Sequence, residues 1–522
     1  MNFLDKLLNY YSLTKEEYEY MSRPLNEVTL INAKKIKGIE RVTDRIFNAI
    51  TSKEKIIIYG DYDCDGITAT SILVKAFKKL NYDVSYYIPS RYIDGYGLNV
   101  TNVRKIKDAG FNLIIAVDNG IAAHEAIDEA NKLGMDVLVV DHHEVPKDLP
   151  LVNAVGILHP IVSEISPYYE SAGYLSAMLS SALLGHYDPY LVTLGGLSVI
   201  SDLMELKGIN RDVVRIAINN LKNDKYLQLM LLLDSPVISE KSFSMEIAPK
   251  INAIGRLIKD KNVNLIVKYL ISEDRDEIIR YHSWINNINL ERKELTKEVV
   301  ESLPKEECES DGIVLKLDVK EGLIGLIANR LLGEYNKPTI IFTSDSNDPS
   351  ILKGSIRSKE GFNVTKAFAS LDKYLLTGGG HALAGGLSIK ASDFNAFKAD
   401  FNALAKEYKI IEVVEECIPL ELNEINTENY KIYRSLAPYG MGFKEPLFKI
   451  NHLPTRSLTF ISEGKHLSTP LTIKTKLLGF NMLEKEVKAL RYINLFGNLN
   501  LSSFNNKETI EFRINKYEES IN

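Results

Sequence analysis

The chain has 522 residues, 45% apolar and 25% charged, values of a soluble protein whose length predicts about three or four domains. Its net charge of −6 excludes a global attraction to nucleic acid, so any such binding must come from local patches. Cys64, Cys308 and Cys417 lie far apart, which excludes a disulfide framework or a CxxC zinc module and favours a reducing, cytoplasmic compartment.

The first 50 residues look polar and helical, and they predict an N-terminal helical segment with little chemistry. Asp5 interrupts the apolar start, which therefore does not resemble a secretory signal. Between residues 171 and 201 the only formal charge is Asp188, but a proline and scattered serines and glycines break the stretch. Neither half has the roughly 20 strongly apolar residues of a membrane span, so we expect two buried helices and no membrane association.

Short apolar strands alternate with helices from Lys55 onwards. The predicted strands are Ile56–Tyr59, Val84–Ile88, Leu113–Val117 and Val137–Val140, and the predicted helices are Ile67–Leu80, Val100–Asp108 and Ile121–Lys132. This alternation is typical of βαβ units around a doubly wound, mostly parallel sheet. Such a sheet binds ligands at the carboxyl ends of its strands.

A second α/β unit follows a long helix. Residues 274–303 contain no Gly or Pro, and their apolar residues fall at helical spacing, which predicts a connecting helix of about 45 Å. The α/β pattern then restarts in residues 311–410, where Ile313–Leu317 and Thr339–Phe342 are predicted strands and Gly378–His381 is a glycine-rich turn.

A small β domain is predicted at the end of the chain. Residues 412–428 contain six acids and no Lys or Arg, which indicates a domain boundary. Residues 441–480 carry six Lys or Arg against two acids, and the β-like runs Ser457–Ile461 and Leu471–Thr475 lie within them. This composition favours a small β-barrel with a mildly basic face.

The expected fold is thus α/β and multi-domain, with a doubly wound sheet joined by the long helix to a second α/β domain and then to the β-barrel. The expected parts are an N-terminal helical segment (1–50), a catalytic domain (51–273), a connecting helix (274–304), a substrate-binding domain (305–410) and a nucleic-acid-binding β domain (411–522).

Acidic and histidine side chains follow three of the predicted strands. Gly60–Gly66 (GDYDCDG) follows the first, Asp118-Asn119-Gly120 the third and Asp141-His142-His143 the fourth. Because these strand ends meet at one edge of a parallel sheet, the carboxylates would converge and repel one another. Divalent cations, and we expect two, resolve that repulsion; carboxylates suit Mg²⁺ or Mn²⁺, and an imidazole favours Mn²⁺. Each motif alone is common in turns, and their joint occurrence predicts the metal site.

Several of these segments resemble known motifs. Gly60–Gly66, Val117–Ile121 and Asp141–His143 resemble motifs I to III of the DHH phosphoesterase superfamily, Ser201-Asp202-Leu203 resembles its motif IV, and Gly354–Ser358 and Gly378–Gly386 resemble the DHHA1 domain. Further matches are similar to RecJ-type exonucleases: Asn210-Arg211, Asn252–Leu257, Gly322–Gly325 and Pro438–Gly442. The resemblance covers roughly residues 50–450, and the β domain stands in the place of the family's oligonucleotide-binding (OB) fold.

This resemblance implies roles for individual residues. The implied metal ligands are Asp63, Asp65, Asp118, His142 and Asp202, with Asp118 bridging and Asp61 a further contributor. Asp141 would orient His142 and fix its tautomer, and His143 would face the scissile phosphate. The implied substrate-binding residues are Asn252, Arg256, Ser355, Arg357, Ser358, Gly379, Gly380 and His381. Among them, Arg357 and His381 are suited to hold a phosphate, and the glycines let backbone N–H groups approach it.

Two positions depart from the family pattern. The family has an aromatic-histidine pair just before the Gly-x-Ile-Gly element, where this chain has Val319-Lys320-Glu321, and an asparagine near the last domain, where this chain has Phe443. Both lie outside the expected metal centre, so they bear on substrate positioning rather than on hydrolysis.

The resemblance implies a 5′→3′ exonuclease specific for single-stranded DNA, which releases 5′-mononucleotides by two-metal-ion hydrolysis in DNA repair and recombination. It also implies a monomer, with single-strand-binding protein and a RecQ-like helicase as partners. One alternative is a phosphoesterase for short oligoribonucleotides, 3′-phosphonucleotides or cyclic dinucleotides, although such relatives lack the terminal β domain. Another is a non-catalytic scaffold that binds single strands, although such relatives tend to lose metal ligands that this chain retains.

A basic β domain would supply a track for the strand. Lys465, Lys474 and Lys476 are the expected phosphate contacts on this track. Phe448 and Phe460 are candidates to stack bases there, and packing in the β core is the other interpretation of both side chains.

Overall fold

The computed structural model describes residues 1–408, 416–504 and 507–520. The predicted domain boundary between residues 410 and 411 lies outside these ranges. The helices are α1 Phe3–Tyr11, α2 Lys15–Ser22, α3 Ile39–Thr51, α4 Cys64–Lys79, α5 Val100–Asp108, α6 His124–Lys132, α7 Ala172–Leu184, α8 Pro189–Ser201, α9 Gly208–Asp224, α10 Leu227–Met230, α11 Ala248–Leu257, α12 Leu265–Ile271, α13 Arg275–Ser302, α14 Glu321–Tyr335, α15 Val364–Ser370, α16 Phe394–Glu407, α17 Thr427–Ser435 and α18 Glu484–Ala489.

The strands form three sheets. They are β1 Ile56–Tyr59, β2 Ser85–Tyr87, β3 Leu113–Val117, β4 Asp136–Val140, β5 Gly156–Leu158, β6 Ile313–Lys316, β7 Thr339–Ser344, β8 Ile351–Arg357, β9 Leu375–Gly380, β10 Ala384–Lys390, β11 Cys417–Pro419, β12 Leu447–Pro454, β13 Phe460–Ile461, β14 His466–Thr472, β15 Thr475–Gly479, β16 Tyr492–Phe504 and β17 Lys507–Glu519.

The first sheet has the order β2-β1-β3-β4-β5, and all its strand pairs are parallel. Its central strands β1 and β3 are buried throughout, as expected of a sheet covered by helices on both faces. The prediction of a doubly wound parallel sheet is confirmed. The sheet therefore brings the carboxyl ends of β1, β3 and β4 to one edge.

The nearly uncharged stretch forms α7 and α8, which pack against each other and against α4. Both helices are buried on nearly every residue, and small side chains allow close packing: a Cβ at Gly173 would lie 2.5 Å from Ser198. None of the described helices is both long and apolar enough to cross a membrane. The prediction of two buried helices is confirmed.

The long helix α13 has 28 residues and spans about 42 Å, close to the expected length. It leads to the second sheet, β6-β7-β8-β10-β9, in which β6 and β7 are parallel and the other pairs antiparallel. The prediction that Gly378–His381 forms a turn is wrong in one respect. Gly378–Gly380 end strand β9, and the turn comes after them.

The third sheet is mixed and has seven strands, in the order β11-β12-β16-β17-β15-β14-β13. The prediction of a β domain is confirmed, but both predicted runs are misplaced. Leu471–Thr475 spans the hairpin between β14 and β15, and only the last two residues of Ser457–Ile461 form a strand. Phe448 is fully buried in this core, so it is wrong as a base-stacking candidate.

The N-terminal segment joins two cores. Phe3 and Leu7 of α1 are buried in the core of the third sheet, where Phe3 stacks on Phe448 with ring centroids 5.8 Å apart. Residues from Leu30 to Ala49 instead contribute to the core beneath the first sheet. The segment thus connects the core beneath the first sheet with the core of the third sheet.

Candidate metal centre

Four elements deliver acidic and histidine side chains to one edge of the first sheet. Asp61 and Asp63 lie in the loop after β1, and Asp65 lies in the first turn of α4, which follows that loop. Asp118 follows β3, Asp141, His142 and His143 follow β4, and Asp202 follows α8. The side chains of Asp65, Asp118 and His142 are no more than 9% exposed, and that of Asp202 is 29% exposed.

The imidazole of His142 lies at the centre of the cluster. Its Nε2 is 3.2 Å from Asp118 Oδ1, 3.4 Å from Asp202 Oδ2 and 3.5 Å from Asp65 Oδ2. Among the described residues, three overlapping sets of three side chains each bring one ligand atom per residue within 4.8 Å of one another. They are Asp61, Asp63 and Asp118; Asp65, His142 and Asp202; and Asp118, His142 and His143. The structure thus gathers all five predicted metal ligands and Asp61 into one site.

Asp118 occupies a strained backbone position. Its φ is +60°, in the left-handed region that non-glycine residues rarely adopt. The neighbouring Asn119 stabilises this bend, since its side-chain amide donates to the carbonyls of Gly60 (3.1 Å) and Val117 (2.9 Å). The end of β3 is therefore tied to the end of β1, which places Asp118 beside the Asp61–Asp65 loop.

Burial and repulsion between neighbouring carboxylates dominate the electrostatics of the cluster. Burial raises the pKa of Asp61 and Asp118 well above its usual range, and neighbouring carboxylates raise it further. Burial and the charges of Asp65 and Asp63 raise the pKa of Asp202 to about 9. Burial lowers the pKa of His142, which favours the neutral form that ligates metals.

Two buried oxygens show that the cluster fits a cation. Oδ1 of Asp61 and Oδ1 of Asp118 have no hydrogen-bond partner among the described residues. A buried, unpaired carboxylate oxygen is costly unless a cation or a proton satisfies it. Five carboxylates and one neutral imidazole form the donor set that Mn²⁺ and Mg²⁺ prefer, with the imidazole favouring Mn²⁺.

Asp65 is held by the amino-terminal end of α7. The N–H groups of Ala172 and Gly173 donate to its two oxygens at 2.9 and 2.7 Å, and the hydroxyl of Ser198 donates to Oδ1. A helix amino-terminus stabilises a negative charge there. Asp65 of α4 is thus hydrogen-bonded to both α7 and α8.

Asp141 positions His143 rather than His142. Its Oδ1 lies 2.7 Å from Nδ1 of His143. From His142, this oxygen accepts a hydrogen bond from the main-chain N–H and not from the imidazole ring. The prediction that Asp141 fixes the tautomer of His142 is therefore wrong. Burial alone lowers the pKa of His143, but the hydrogen bond and charge of Asp141 raise it to about 9. Tyr96 completes this chain, with its hydroxyl 2.8 Å from His143 Nε2.

A cleft of about 520 Å³ lies between the catalytic domain and the second sheet. Arg91, Tyr96 and Arg256 line it from one side, and Ser355 and Arg357 from the other. Burial, followed by repulsion from Arg91 and other arginines that include Arg357, lowers the pKa of Arg256 to about 10. Cations crowded in this way form a site for an anion.

The predicted substrate-binding residues divide into two groups. Arg256, Ser355 and Arg357 line the cleft, whereas Asn252, Ser358, Gly379, Gly380 and His381 are not among its lining residues. His381 is exposed in the turn after β9, where its N–H donates to the carbonyl of Ala384 at 2.8 Å. Ser358 is 6% exposed, and its N–H donates to the carbonyl of Leu383.

The expected DNA track is not assembled as one patch. Lys465 precedes β14 and Lys474 follows it, so the seven residues of β14, about 20 Å of strand, separate them. Lys476 lies 3.1 Å from Glu511, whose side chain is 3% exposed, and is therefore paired. Phe480 is 56% exposed beside His466 and is a better base-stacking candidate than Phe448.

Sequence reasoning missed Arg91, Tyr96, Asn119 and Ser198. Asn119 lies inside the Asp118-Asn119-Gly120 motif, so its role could have been predicted from the sequence. Ser198 lies 133 residues from Asp65, in an apolar helix, and nothing in its surroundings in the sequence signals the contact.

Three family descriptions match the chain in order. Residues 55–232 match the DHH family, N-terminal domain, residues 309–407 the DHHA1 domain, and residues 418–516 the RecJ OB domain. The chain is 32% identical over 501 residues to the single-stranded-DNA-specific exonuclease RecJ of Bacillus subtilis, which covers 92% of this chain and 63% of that protein. The chain thus carries DHH, DHHA1 and RecJ OB domains. The resemblance inferred from the motifs is confirmed, although the chain spans less than two thirds of that relative's length.

Solved RecJ structures share this fold. The structure of RecJ from Thermus thermophilus in complex with Mn²⁺ covers the whole chain and 76% of its own, with a TM-score of 0.84 and 24% identity. A structure of exonuclease RecJ bound to manganese covers 73% of this chain and 97% of its own, with a TM-score of 0.62 and 26% identity. The order of DHH, DHHA1 and OB domains in this RecJ-type chain is therefore confirmed.

The two departures from the RecJ pattern lie at identifiable places. Glu321 begins α14 and lines the cleft, where its carboxylate is 3.1 Å from Lys353. Phe443 stacks between Tyr11 and Tyr439 and beneath Arg211, and it is not among the residues that line the cleft. Only the first departure therefore adjoins the cleft.

Proposed function

We propose that this RecJ-type chain is a metal-dependent exonuclease that hydrolyses single-stranded DNA in the 5′→3′ direction and releases 5′-mononucleotides, in DNA repair and recombination. The observation that carries the proposal is a centre with six candidate metal ligands beside a cleft lined by arginines. The curated relatives that are named single-stranded-DNA-specific exonucleases support the choice of substrate.

One group of side chains would bind the cations, and a second group would bind the substrate. Asp61, Asp63, Asp65, Asp118, His142 and Asp202 would hold two divalent cations, Mn²⁺ or Mg²⁺. Such cations, when bound, polarise a phosphodiester and stabilise the charge that develops on its oxygens. Arg256 and Arg357 bind the terminal phosphate of the strand by charge-assisted hydrogen bonds. His143, held protonated by Asp141, donates to an oxygen of the scissile phosphate.

The C-terminal domain favours a polymeric substrate. An OB fold binds single strands in a groove, which a phosphoesterase for dinucleotides does not need. We therefore expect activity on long single strands, with Phe480 and nearby lysines in contact with bases and phosphates. We further expect a monomer. The cysteine usage favours a cytoplasmic location, and family resemblance implies single-strand-binding protein and a RecQ-like helicase as partners.

The test uses purified protein with Mn²⁺ and a single-stranded DNA oligonucleotide labelled at either end, beside a diribonucleotide. The expected result is early release of the 5′ label as a mononucleotide, with the 3′ label retained on shortening fragments. Hydrolysis confined to the diribonucleotide would support the small-substrate alternative instead. Binding without hydrolysis of either substrate would support a non-catalytic scaffold.

A further inference from the structure

Helix α11 contacts the metal-binding loop through its residues 252 and 255, which lie one turn apart on the same face. The side-chain oxygen of Asn252 accepts a hydrogen bond from the main-chain N–H of Cys64 at 2.8 Å. A Cβ at Gly255 would lie 2.1 Å from the carbonyl oxygen of Tyr62, so only glycine allows this approach. Asn252 and Gly255 therefore hold the segment that carries Asp61, Asp63 and Asp65.

The hydrogen bond from Cys64 satisfies a group that its own helix cannot. The first four N–H groups of a helix have no partner within it, and Cys64 is the first residue of α4. Asp63, the residue before the helix, accepts the N–H of Gly66 at 3.0 Å. Asn252, 188 residues away in the sequence, accepts the N–H of Cys64. Two candidate metal ligands, Asp63 and Asp65, are the immediate neighbours of that N–H.

The same helix also touches the wall of the cleft, through Arg256, the residue next to Gly255. A Cβ at Gly322, at the start of α14, would lie 2.2 Å from the carbonyl oxygen of Arg256. The guanidinium of Arg256 donates to the carbonyl of Gly322 at 3.2 Å, and the hydroxyl of Tyr92 bridges the two residues. Helix α11 thus connects the metal-binding loop to the wall of the cleft through two close backbone approaches.

We propose that Asn252 is a positioning residue that fixes the metal-binding loop through the N–H of Cys64, rather than the substrate contact that its motif implied. Its oxygen is engaged with the loop, and Asn252 does not line the cleft. Loss of the oxygen leaves a helix N–H unsatisfied between two metal ligands. Because an unsatisfied donor is costly, we expect the loop to shift. The proposal depends on the proposed function for the identity of the DNA substrate, but it does not depend on that function for the binding of Mn²⁺.

The test compares three variants of the full chain. N252L removes the acceptor and keeps the branching and the number of heavy atoms of the side chain, and N252D keeps an oxygen in the same place. The matched control is N363L, because Asn363 caps α15 by accepting the N–H of Lys366 at 3.0 Å, away from the metal centre. The measurements are the Kd for Mn²⁺ by calorimetric titration, the KM for a single-stranded oligonucleotide at saturating Mn²⁺, and the Tm.

N252L is expected to raise the Kd for Mn²⁺ by about 10- to 100-fold, the effect of losing an outer-shell partner, and to leave KM within two-fold. N252D and N363L are expected to keep Kd within about three-fold. An unchanged Kd overturns the proposal, and a raised KM with that unchanged Kd restores the substrate contact. If N252L does not fold, N252A replaces it. A wild-type chain that binds Mn²⁺ without cleaving DNA would overturn the proposed function, while the Kd comparison still decides the role of Asn252.

Discussion

Asp118 combines a strained backbone, a buried carboxylate and an oxygen without a partner among the described residues. Sites that hold such strain are usually functional, because the rest of the structure must stabilise them. Asp118 belongs to two of the three candidate metal sets, one with Asp61 and Asp63 and the other with His142 and His143. Its substitution is therefore the sharpest single-residue test of the centre.

We predict that D118N lowers DNA hydrolysis by more than about 100-fold, beyond what the loss of an outer-shell partner costs. The metal-free variant should be as stable as the wild type or more stable, because one of several mutually repelling carboxylates is removed. Hydrolysis rates and the Tm with and without Mn²⁺ provide the check, with the exposed Asp148→Asn as control. Rapid hydrolysis by D118N would contradict the assignment.

The pKa shifts at the centre predict how pH affects the metal-free protein. Because the pKa of Asp202 rises from 3.8 to about 9 on folding, the folded state binds more protons between these values, and stability falls as pH rises. His143 acts in the same direction: its contribution is present below its ordinary pKa of 6.5 and is lost as pH rises through about 9. We expect the Tm of the metal-free protein to fall from pH 6 to pH 9.

Mn²⁺ should reverse this trend, because cations bind the deprotonated carboxylates and compete with protons. The Kd for Mn²⁺ is therefore expected to decrease from pH 6 to pH 8, with proton release visible in buffers of different ionisation enthalpy. A Kd that does not change with pH, together with a flat Tm profile, would contradict the electrostatic description of the centre.

For single residues, the sequence predicted the metal ligands but not the side chains that hold those ligands in place. Parallel strands end at one edge, so sequence alone groups Asp63, Asp118 and His142. The pairing of Asp141 with His143 depends on which of two adjacent rings turns towards the carboxylate, and that direction is set by packing. Ser198 reaches Asp65 only because α8 folds back beside α4.

Strand β8 delivers Ser355 and Arg357 to the cleft, and a Cβ at Gly325 of α14 would lie 2.9 Å from the guanidinium of Arg357. The two elements thus place this cation against the cleft wall. We predict that R357A raises KM for single-stranded DNA by about 10- to 100-fold, the loss of one hydrogen bond to a charged group. The Kd for Mn²⁺ should not change.

The exposed Arg330 of α14 provides the control for R357A. R330A removes the same side chain from the same domain outside the cleft, and it should leave KM within two-fold. Equal effects of both substitutions would argue for a general electrostatic attraction instead of a phosphate site.

The separation of Lys465 from Lys474 allows a specific prediction about the C-terminal lysines. Each phosphate contact with a single strand contributes about 0.7 to the slope of log K against log salt. If both lysines touch the strand, K465A/K474A should reduce the slope by about 1.4, whereas K476A should reduce it less because Glu511 already pairs with Lys476. An unchanged slope in the double variant would remove these residues from the track.

Elements with strong periodicity were predicted well, and glycine-rich or hairpin segments were not. Strands β1 and β3 have the predicted limits because buried apolar runs define them, and helix α5 has them because its buried apolar residues Val103 and Ile106 fall at helical spacing. The segment Gly378–Gly380 looks like a turn, yet it pairs with β10. A Cβ at Gly380 would lie 2.4 Å from the carbonyl oxygen of Ala384, so the glycine serves close approach of two strands.

Across the whole molecule, the order of domains was predictable and their contacts were not. Motif order and the change from βα to β patterning gave the succession of parts. The docking of α1 on the last sheet joins residues more than 400 positions apart, such as Lys6 and Glu424 at 2.7 Å. Local patterning contains no information about such pairs, and only the folded chain shows that its two ends share one core.

The central claim is that six side chains from four elements form one binding site for two divalent cations. The most direct measurement is the anomalous scattering of Mn²⁺ in crystals of the protein soaked with the metal. Two peaks are predicted, one bounded by Asp61, Asp63 and Asp118 and the other by Asp65, His142 and Asp202. Crystals in which Mn²⁺ binds only elsewhere, or in which no peak touches Asp118, would contradict the account.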